Sequence, residues 1–499
     1  MYLKSKYVMI HKKNHTYINY KFNIILFNLV ILQSIFIILH FKTHSEHMTN
    51  IWNLYKEEYK SLIRLGLPVL VTQVGIIVVS FADTMMVGAY GVDELAAAAF
   101  VNSLFIIPIV MQLGFAQGLT PLVGSLFGKG EKEEAGHTLH GGLQINMAVS
   151  AGLTAIMAIL YFFLDRFGQP EELMPLVRRY YLIVLSTLLP MSVFNSFQQT
   201  CNGFNDTAMP MWMILGSNVL NIIGNYLLIF GHFGCPELGL AGAGISTMLA
   251  RYAAAVAIVA MFFNGNRYRP YAKGFAIKEG LGDVRRIVWT TSYPVMIQAG
   301  VECSLWSFGA VVSGWFGKIQ LAAYQVVNTM AQLGFMTFVS FGTATSIRVA
   351  NYMGVHDLRG MRRITSAGLH LNLVLATAAS LIFMFGGRWL IHCFTPDPYV
   401  VASALTLIIP LVIYQYMDAT QLTYVNAIRG TSHVKPLLWI SLCSYVAVGI
   451  PVLLLFAKGF VWGNIGVYYS FDVALAVASV MSTLVFYHVM RKETSAIHH

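Results

Sequence analysis

The sequence predicts an all-α protein that crosses a membrane twelve times and is built from two similar halves of six helices. Three observations predict this class. Only 11% of the 499 residues are charged and 57% are hydrophobic, whereas soluble domains carry about 25% charged residues. Apolar segments long enough to cross a bilayer recur along the chain, separated mostly by short loops rich in Gly, Pro and Asn. The third observation is an internal repeat.

Residues 1–47 form a leader that stands apart from this pattern. Its apolar run, 22–41, would qualify as a spanning helix, and the lysines before it would hold the N-terminus in the cytoplasm. Lys56 and Arg64 place the start of the next helix on the same side, yet one helix cannot separate two cytoplasmic flanks. No small-residue cleavage site follows the apolar run. We expect Met48 to begin the functional protein, with an extra spanning helix as the alternative.

Twelve spanning segments are predicted after Met48, with a basic linker at 264–286 between the sixth and the seventh. If the N-terminus is cytoplasmic, Lys and Arg number 19 on the cytoplasmic side and 6 on the outer side. Basic residues accumulate in cytoplasmic loops, so we expect both termini to be cytoplasmic. The segments are 65–88, 96–127, 137–163, 177–199, 210–231, 239–263, 287–314, 321–353, 365–386, 399–425, 436–457 and 463–489.

The internal repeat has an offset of 226 residues and predicts the domain organisation. Residues with special backbone or polar roles align between the halves: Pro68 with Pro294, Gly88 with Gly314, Asn102 with Asn328, Gly128 with Gly354, and Pro210 with Pro436. We expect an N-lobe over 48–263, a cytoplasmic linker over 264–286 and a C-lobe over 287–499. Since six is an even number, both lobes enter the membrane from the same side, related by an axis along its normal.

Composition excludes several other classes of function. The net charge of +10 comes from basic residues in short loops, which indicates membrane orientation and not a nucleic-acid partner. Five scattered cysteines predict neither a disulfide framework nor a metal site. A membrane prenyltransferase would need clustered aspartates for Mg²⁺ and diphosphate, and the sequence has no such cluster. We therefore expect a transporter and not an enzyme.

Polar residues inside the apolar segments mark the candidate sites of the N-lobe. Asp83 lies within the first segment, where a charge costs about 2.5–3.5 kcal/mol even on lenient scales. Asn221 and Asn225 share one face of the fifth segment. A carboxylate with amide oxygens suits either Na⁺ or a proton. The alternatives are an acid that reaches the headgroups and an asparagine pair that joins helices. Arg251, on the sixth segment, either partners an acid or reaches the interface.

The C-lobe carries two acids on different segments. Glu302 lies about two turns after Pro294 in the seventh segment, and Tyr414 and Asp418 share one face of the tenth. Packing does not explain two such acids, which can exchange protons and attract an organic cation. Asp472, near the outer end of the twelfth segment, is given no role.

These segments resemble the multidrug and toxic compound extrusion (MATE) transporters of the NorM-type bacterial branch. The resemblance runs in family order from the first segment to Pro436, and the leader before Met48 departs from it. The matching stretches are FADTMMVGAYGVDELAAAA, GFAQGLTPLVGSLFGKG, CNGFNDTAMPM, NVLNIIGNY, LGLAGAGIST, the GVE of the seventh segment, and MDATQLTYVNAIRGTSHVKP.

The resemblance implies two lobes arranged as a V in the bacterial cytoplasmic membrane. It implies a secondary antiporter that exports cationic amphipathic drugs and dyes in exchange for H⁺ or Na⁺, with no cofactor besides that ion. A monomer is expected, and a flippase for a lipid-linked precursor is the alternative function. The implied residues are Asp83, Asn221, Asn225 and Thr247 in the N-lobe, Glu302, Tyr414 and Asp418 in the C-lobe, and Pro68 as a helix bend. No metal is expected beyond Na⁺ at one of these two groups.

Overall fold

The computed structural model describes residues 51–497. The apolar run at 22–41 lies outside the described residues, and so does Met48. The choice between a start at Met48 and an extra spanning helix therefore stays a prediction.

The described residues are almost entirely helical and contain no strand. Eleven of their helices are long and apolar enough to cross a membrane, and two helices bent by 48° form a twelfth crossing. This confirms the predicted fold class. We call the crossings α1 to α12: Tyr55–Tyr90, Val92–Lys129, Lys132–Tyr161, Glu171–Gly203, Ala208–Phe230, Leu240–Asn264, Leu281–Gly314, Lys318–Gly354, Leu358–Phe394, the bent pair Pro398–Leu405 and Ile408–Gly430, Lys435–Gly459, and Asn464–Ser495.

Several crossings extend past the predicted segments and some contain prolines. Apolarity marks only the part of a helix inside lipid, whereas the backbone bonds continue into the headgroup region. A proline removes one of these bonds, yet α1 is helical on both sides of Pro68 without a break. Thr72 Oγ1 donates to the Pro68 carbonyl at 2.9 Å. A bend at Pro68 during transport stays a prediction.

The two lobes, α1–α6 and α7–α12, meet in a contact with approximate two-fold symmetry. A Cβ on Gly128, in α2, would lie 2.2 Å from the backbone oxygen of Asn351 in α8. A Cβ on Gly354, in α8, would lie 2.1 Å from the backbone oxygen of Ser125 in α2. The two glycines are related by the repeat offset of 226, and so are their two partners. Glycine is needed at both positions because the backbones touch.

Polar contacts between the lobes lie in the inner halves of the helices, meaning the halves that the charge count assigns to the cytoplasmic side. Glu58 of α1 accepts a charged hydrogen bond from Arg363 Nε of α9 at 2.6 Å. Tyr352 Oη of α8 lies 3.1 Å from both carboxylate oxygens of Glu58. We call Glu58, Tyr352 and Arg363 the inner latch. Nearby, the Tyr59 hydroxyl is 2.9 Å from His370 Nδ1.

The basic linker after α6 is docked on the N-lobe by aromatic and charged contacts. Its helix, Arg269–Phe275, packs against α3. The ring of Tyr271 stacks on Phe204, with centroids 3.8 Å apart. Asp206 binds Arg267 Nη1 at 2.8 Å and accepts a hydrogen bond from the Tyr268 hydroxyl. Burial, followed by this bond, raises the pKa of Tyr268 above its ordinary value, so the hydroxyl stays a donor.

Candidate ion and substrate sites

Four predicted residues of the N-lobe form one hydrogen-bonded cluster. Asn225 Nδ2 donates to Asp83 Oδ1 at 2.5 Å. With the amide nitrogen of Asn221 turned toward the acid, it donates to the same oxygen at 2.8 Å. In that orientation Asn221 Oδ1 accepts from Thr247 Oγ1 at 3.0 Å. The structure therefore brings together Asp83, Asn221, Asn225 and Thr247.

Close packing of α5 against α6 holds this N-lobe cluster in place. Asn221 and Asn225 are buried and lie one turn apart on α5. A Cβ on Gly224 would lie 2.4 Å from Ser246 Oγ of α6, so glycine permits the approach. Ser246 Oγ then donates to the Asn221 carbonyl at 2.7 Å. Because both amides hold its carboxylate, Asp83 points toward α5, which does not fit an acid that reaches the headgroups.

Arg251 occupies the interior of the N-lobe. Its Nη1 donates to Thr187 Oγ1 at 2.6 Å, which anchors the guanidinium to α4. Its charge acts on the Asp83 carboxylate and on Tyr180. Arg251 is therefore a neighbouring charge of Asp83 that does not join the hydrogen-bonded cluster.

The predicted residues of the C-lobe also converge. Tyr414 and Asp418 are both buried, at 6% and 1% exposure. The charge of Glu302, on α7, acts on Asp418 and on Tyr414, so the two acids are neighbours. Tyr445 of α11 interacts with Glu302 and lies 3.1 Å from Gln421 Nε2 of α10. The structure therefore places Glu302, Tyr414 and Asp418 in one region of the C-lobe and adds Tyr445.

The acids of both candidate sites lack an ion-pair partner in the described part of the chain. Five ion pairs occur within residues 51–497, and none includes Asp83, Glu302 or Asp418. Both Asp418 oxygens and Glu302 Oε1 are buried without a hydrogen-bond partner in the described part of the chain. A buried carboxylate without a partner is costly. A proton, a small cation or an organic ammonium group would each relieve that cost.

An aromatic layer lies one turn from the C-lobe acids, toward the outer side. The ring of Trp306, one turn after Glu302, contacts Tyr414 at 5.5 Å and Phe471 at 4.4 Å, both edge to face. Aromatic faces attract cations and also cover apolar surface. The combination suits a ligand that is both cationic and apolar.

The MatE family model matches the chain twice, over residues 68–227 and 294–455. The chain belongs to the MatE family. The two matched stretches begin 226 residues apart, which is the offset of the sequence repeat.

Curated relatives of this MatE protein cover most of its length. It is 26% identical over 430 residues to "Probable multidrug resistance protein NorM" of Neisseria meningitidis serogroup B, covering 86% of this chain and 93% of the relative. It is 27% identical over 400 residues to "Multidrug resistance protein NorM" of Vibrio cholerae serotype O1, covering 80% and 87%.

Solved structures share the MatE fold. The crystal structure of the eukaryotic MATE transporter AtDTX14 aligns with a TM-score of 0.80 at 19% identity, covering 89% of this chain and all of that one. A structure titled as the outward-facing conformation of a multidrug resistance MATE family transporter aligns with a TM-score of 0.77 at 16% identity, covering 90% and 100%. These similarities establish the fold of this MatE protein, which is a membrane transport protein.

Sequence reasoning missed or misjudged several polar residues of this MatE protein. Tyr445 lies in a π-helical stretch of α11, Leu442–Gly449, a widening that often marks functional sites. In the sequence, Tyr445 could not be distinguished from the many other aromatic residues of the apolar segments. Asp472 follows the start of α12 by only eight residues, yet it is fully buried. Both of its oxygens lack a hydrogen-bond partner within residues 51–497. In the same part of the chain, no three acids, histidines or cysteines form a metal cluster.

Proposed function

We propose that this MatE protein is a secondary multidrug antiporter that exports cationic amphipathic compounds in exchange for H⁺ or Na⁺. One observation carries the proposal: both lobes hold carboxylates inside the membrane, and none of Asp83, Glu302 and Asp418 forms an ion pair within residues 51–497. The two NorM relatives, named for multidrug resistance, support the same conclusion.

Exchange follows if the coupling ion and the drug compete for the same carboxylates. In the predicted orientation, contacts between the inner halves of the lobes close the cytoplasmic side in the described state. An ion from outside then occupies the acids and displaces the drug. After the inner side opens, the ion leaves and a drug binds from the cytoplasm or the inner leaflet. Either ligand shifts this equilibrium only through different affinities for the two states.

The N-lobe cluster can bind either coupling ion, but the amide side chains of Asn221 and Asn225 would respond differently to each. As it stands, the amide nitrogens of Asn221 and Asn225 face Asp83, an arrangement that stabilises the ionised acid. A proton on Asp83 would remove the charge to which both amides donate. A Na⁺ ion would instead require both amides to rotate, so that their oxygens join the carboxylate and Thr247 as ligands.

The C-lobe cluster provides the recognition of the drug in this proposal. Glu302 and Asp418 attract the positive group of the substrate, and Trp306 and Tyr414 cover its apolar rings. Flat aromatic surfaces accept many ligand shapes, which suits a multidrug carrier.

The charge distribution supports the orientation of the protein in the membrane. We propose a multi-pass protein of the bacterial cytoplasmic membrane with both termini in the cytoplasm, acting as a monomer. The N-lobe spans 48–263 and the C-lobe 287–499, with the linker 264–286 between them.

The test is drug efflux by variants that remove one charge each. Asp83→Asn, Glu302→Gln and Asp418→Asn are each expected to reduce ethidium efflux to the level of cells without the transporter, at unchanged amounts in the membrane. The matched control is Asp93→Asn, which removes an exposed carboxylate at the outer end of α2 and should leave efflux unchanged. The assignment fails if all three variants export ethidium at the original rate.

A further inference from the structure

Arg429 joins the two lobes beside the C-lobe acids. It lies one residue before the inner end of α10 at Gly430. Its Nη1 donates to Gln117 Oε1 of α2 in the N-lobe at 2.9 Å. Its Nη2 donates to Gln298 Oε1 of α7 in the C-lobe at 3.1 Å. One side chain thus links α2, α7 and α10 across the boundary that must open toward the cytoplasm.

The charge of Arg429 is balanced at a distance by Glu302. Gln298 precedes Glu302 by one helical turn on α7, which places the guanidinium near that acid. The charge of Glu302 acts on Arg429, as does Tyr445. The direct partners are two neutral amides, and Arg429 Nε is buried without an acceptor within residues 51–497. The stability of this arrangement therefore depends on Glu302 being ionised.

Neutralising Glu302 weakens the link between the lobes. A buried guanidinium without a compensating charge is strongly unfavourable. Once a proton, Na⁺ or a drug cation occupies Glu302, Arg429 is held only by the two amides. Because it lies at the end of α10, it can turn toward the cytoplasmic water and release Gln117. This hydrogen bond between α2 and α10 is then lost, which favours opening of the inner side.

We propose that Arg429 is a positioning residue that keeps the inner side closed while the C-lobe acids are empty. Only carriers loaded with ion or drug would then change conformation. The empty transporter then cannot change between its outward-facing and inward-facing states. Transport is therefore an exchange of ion for drug and not a leak. The inference rests on the proposed function, because it uses Glu302 as a site for ion and drug.

The test separates ion-driven transport from downhill leak in proteoliposomes that contain the full-length protein. Drug flux is measured twice, once with an imposed H⁺ or Na⁺ gradient and once with a drug gradient alone in ion-matched buffer. Arg429→Gln is expected to lose gradient-driven accumulation and to raise the downhill flux by about tenfold, within the 5–150-fold range of allosteric coupling. Arg429→Lys keeps the charge and should restore part of the coupling. Arg359→Gln, at an exposed position in the first turn of α9, is the matched control.

Gln117→Leu is the second variant, because it removes the N-lobe acceptor and leaves Arg429 in place. It should produce the same leak even where Arg429→Gln fails to fold. The proposal is overturned if Gln117→Leu stays fully coupled, or if folded Arg429→Gln loses downhill and gradient-driven flux alike. Absence of gradient-driven flux in the unmodified protein would instead count against the antiport function, so the two failures are distinct.

Discussion

Glu58→Gln removes the charge from the inner latch with little change in shape. The glutamine still fits beside Tyr352, whose hydroxyl now lies 3.1 Å from both carboxylate oxygens. It no longer forms an ion pair with Arg363, whose Nε is now 2.6 Å from the acid. Because these residues lie on α1, α8 and α9, the substitution weakens closure between the lobes and leaves the packing within each lobe unchanged.

The size of the effect follows from the exposure of the two partners. The Glu58 side chain is 4% exposed and that of Arg363 is 37% exposed. Breaking a fully buried pair costs 3–5 kcal/mol, whereas an exposed pair contributes about 0.2–1 kcal/mol. In this pair one partner is buried and the other is partly exposed to solvent, so we expect a contribution between these limits, at about 1–2 kcal/mol. Since about 1.4 kcal/mol is tenfold in an equilibrium, the inward-open fraction should rise by about 5- to 30-fold.

The assay is the distance between spin labels at the inner ends of the two lobes. Lys132→Cys in α3 and Arg359→Cys in α9 are exposed, and the native cysteines are replaced by serine. Pulsed electron paramagnetic resonance then gives the populations of closed and open inner ends. The matched control is Glu57→Gln, which removes the same charge from the exposed neighbouring position.

A second variant ties the result to the ion pair. The double substitution Glu58→Arg with Arg363→Glu should return the closed population toward its original value. The reasoning is refuted if Glu58→Gln and Glu57→Gln give the same distance distribution as the unmodified protein.

Two further predictions concern packing and pH. Gly128→Leu should force the inner ends apart in the same spin-label assay, because its Cβ would meet the Asn351 backbone at 2.2 Å, whereas Gly152→Leu, at an open position, should not. An unchanged distance in Gly128→Leu would contradict the symmetric contact. The raised pKa of Tyr268 adds stability that is present below the ordinary tyrosine pKa and is lost as pH rises above about 10. The melting temperature of the unmodified protein should therefore fall more steeply between pH 9 and pH 11 than that of Tyr268→Phe, and parallel curves would contradict the linker contact.

The number of helices, and the correspondence between the helices of the two halves, could be predicted because both can be read directly from the sequence. Apolar length marks each crossing, and Pro68 with Pro294 fixes the register of the repeat. The same local logic predicted the N-lobe cluster, because Asn221 and Asn225 share a helix face. Thr247 came only from the family resemblance, since one hydroxyl in a helix carries no distinctive pattern.

Residues whose role depends on packing between distant helices could not be predicted. Glu58 precedes the apolar run and looks like an ordinary charged flank, yet in the structure it is buried against α8 and α9. Arg429 is one of the 19 basic residues that the sequence analysis counts on the cytoplasmic side. The sequence does not show that α10 ends beside α2, so it gives Arg429 no further role. The linker was predicted only as a basic cytoplasmic segment. Its docking depends on distant residues, because its helix packs against α3 and Tyr271 stacks on Phe204, which follows α4.

The most direct test of the central claim is whether drug binding displaces the coupling ion from the carboxylates. Purified transporter in detergent is titrated with ethidium in weak buffer, and released protons are measured by a pH indicator and released ²²Na⁺ by counting. The account predicts that each bound drug releases one or more of these ions, and that the release falls when Glu302→Gln and Asp418→Asn are combined. Drug binding that releases neither H⁺ nor Na⁺ would contradict it.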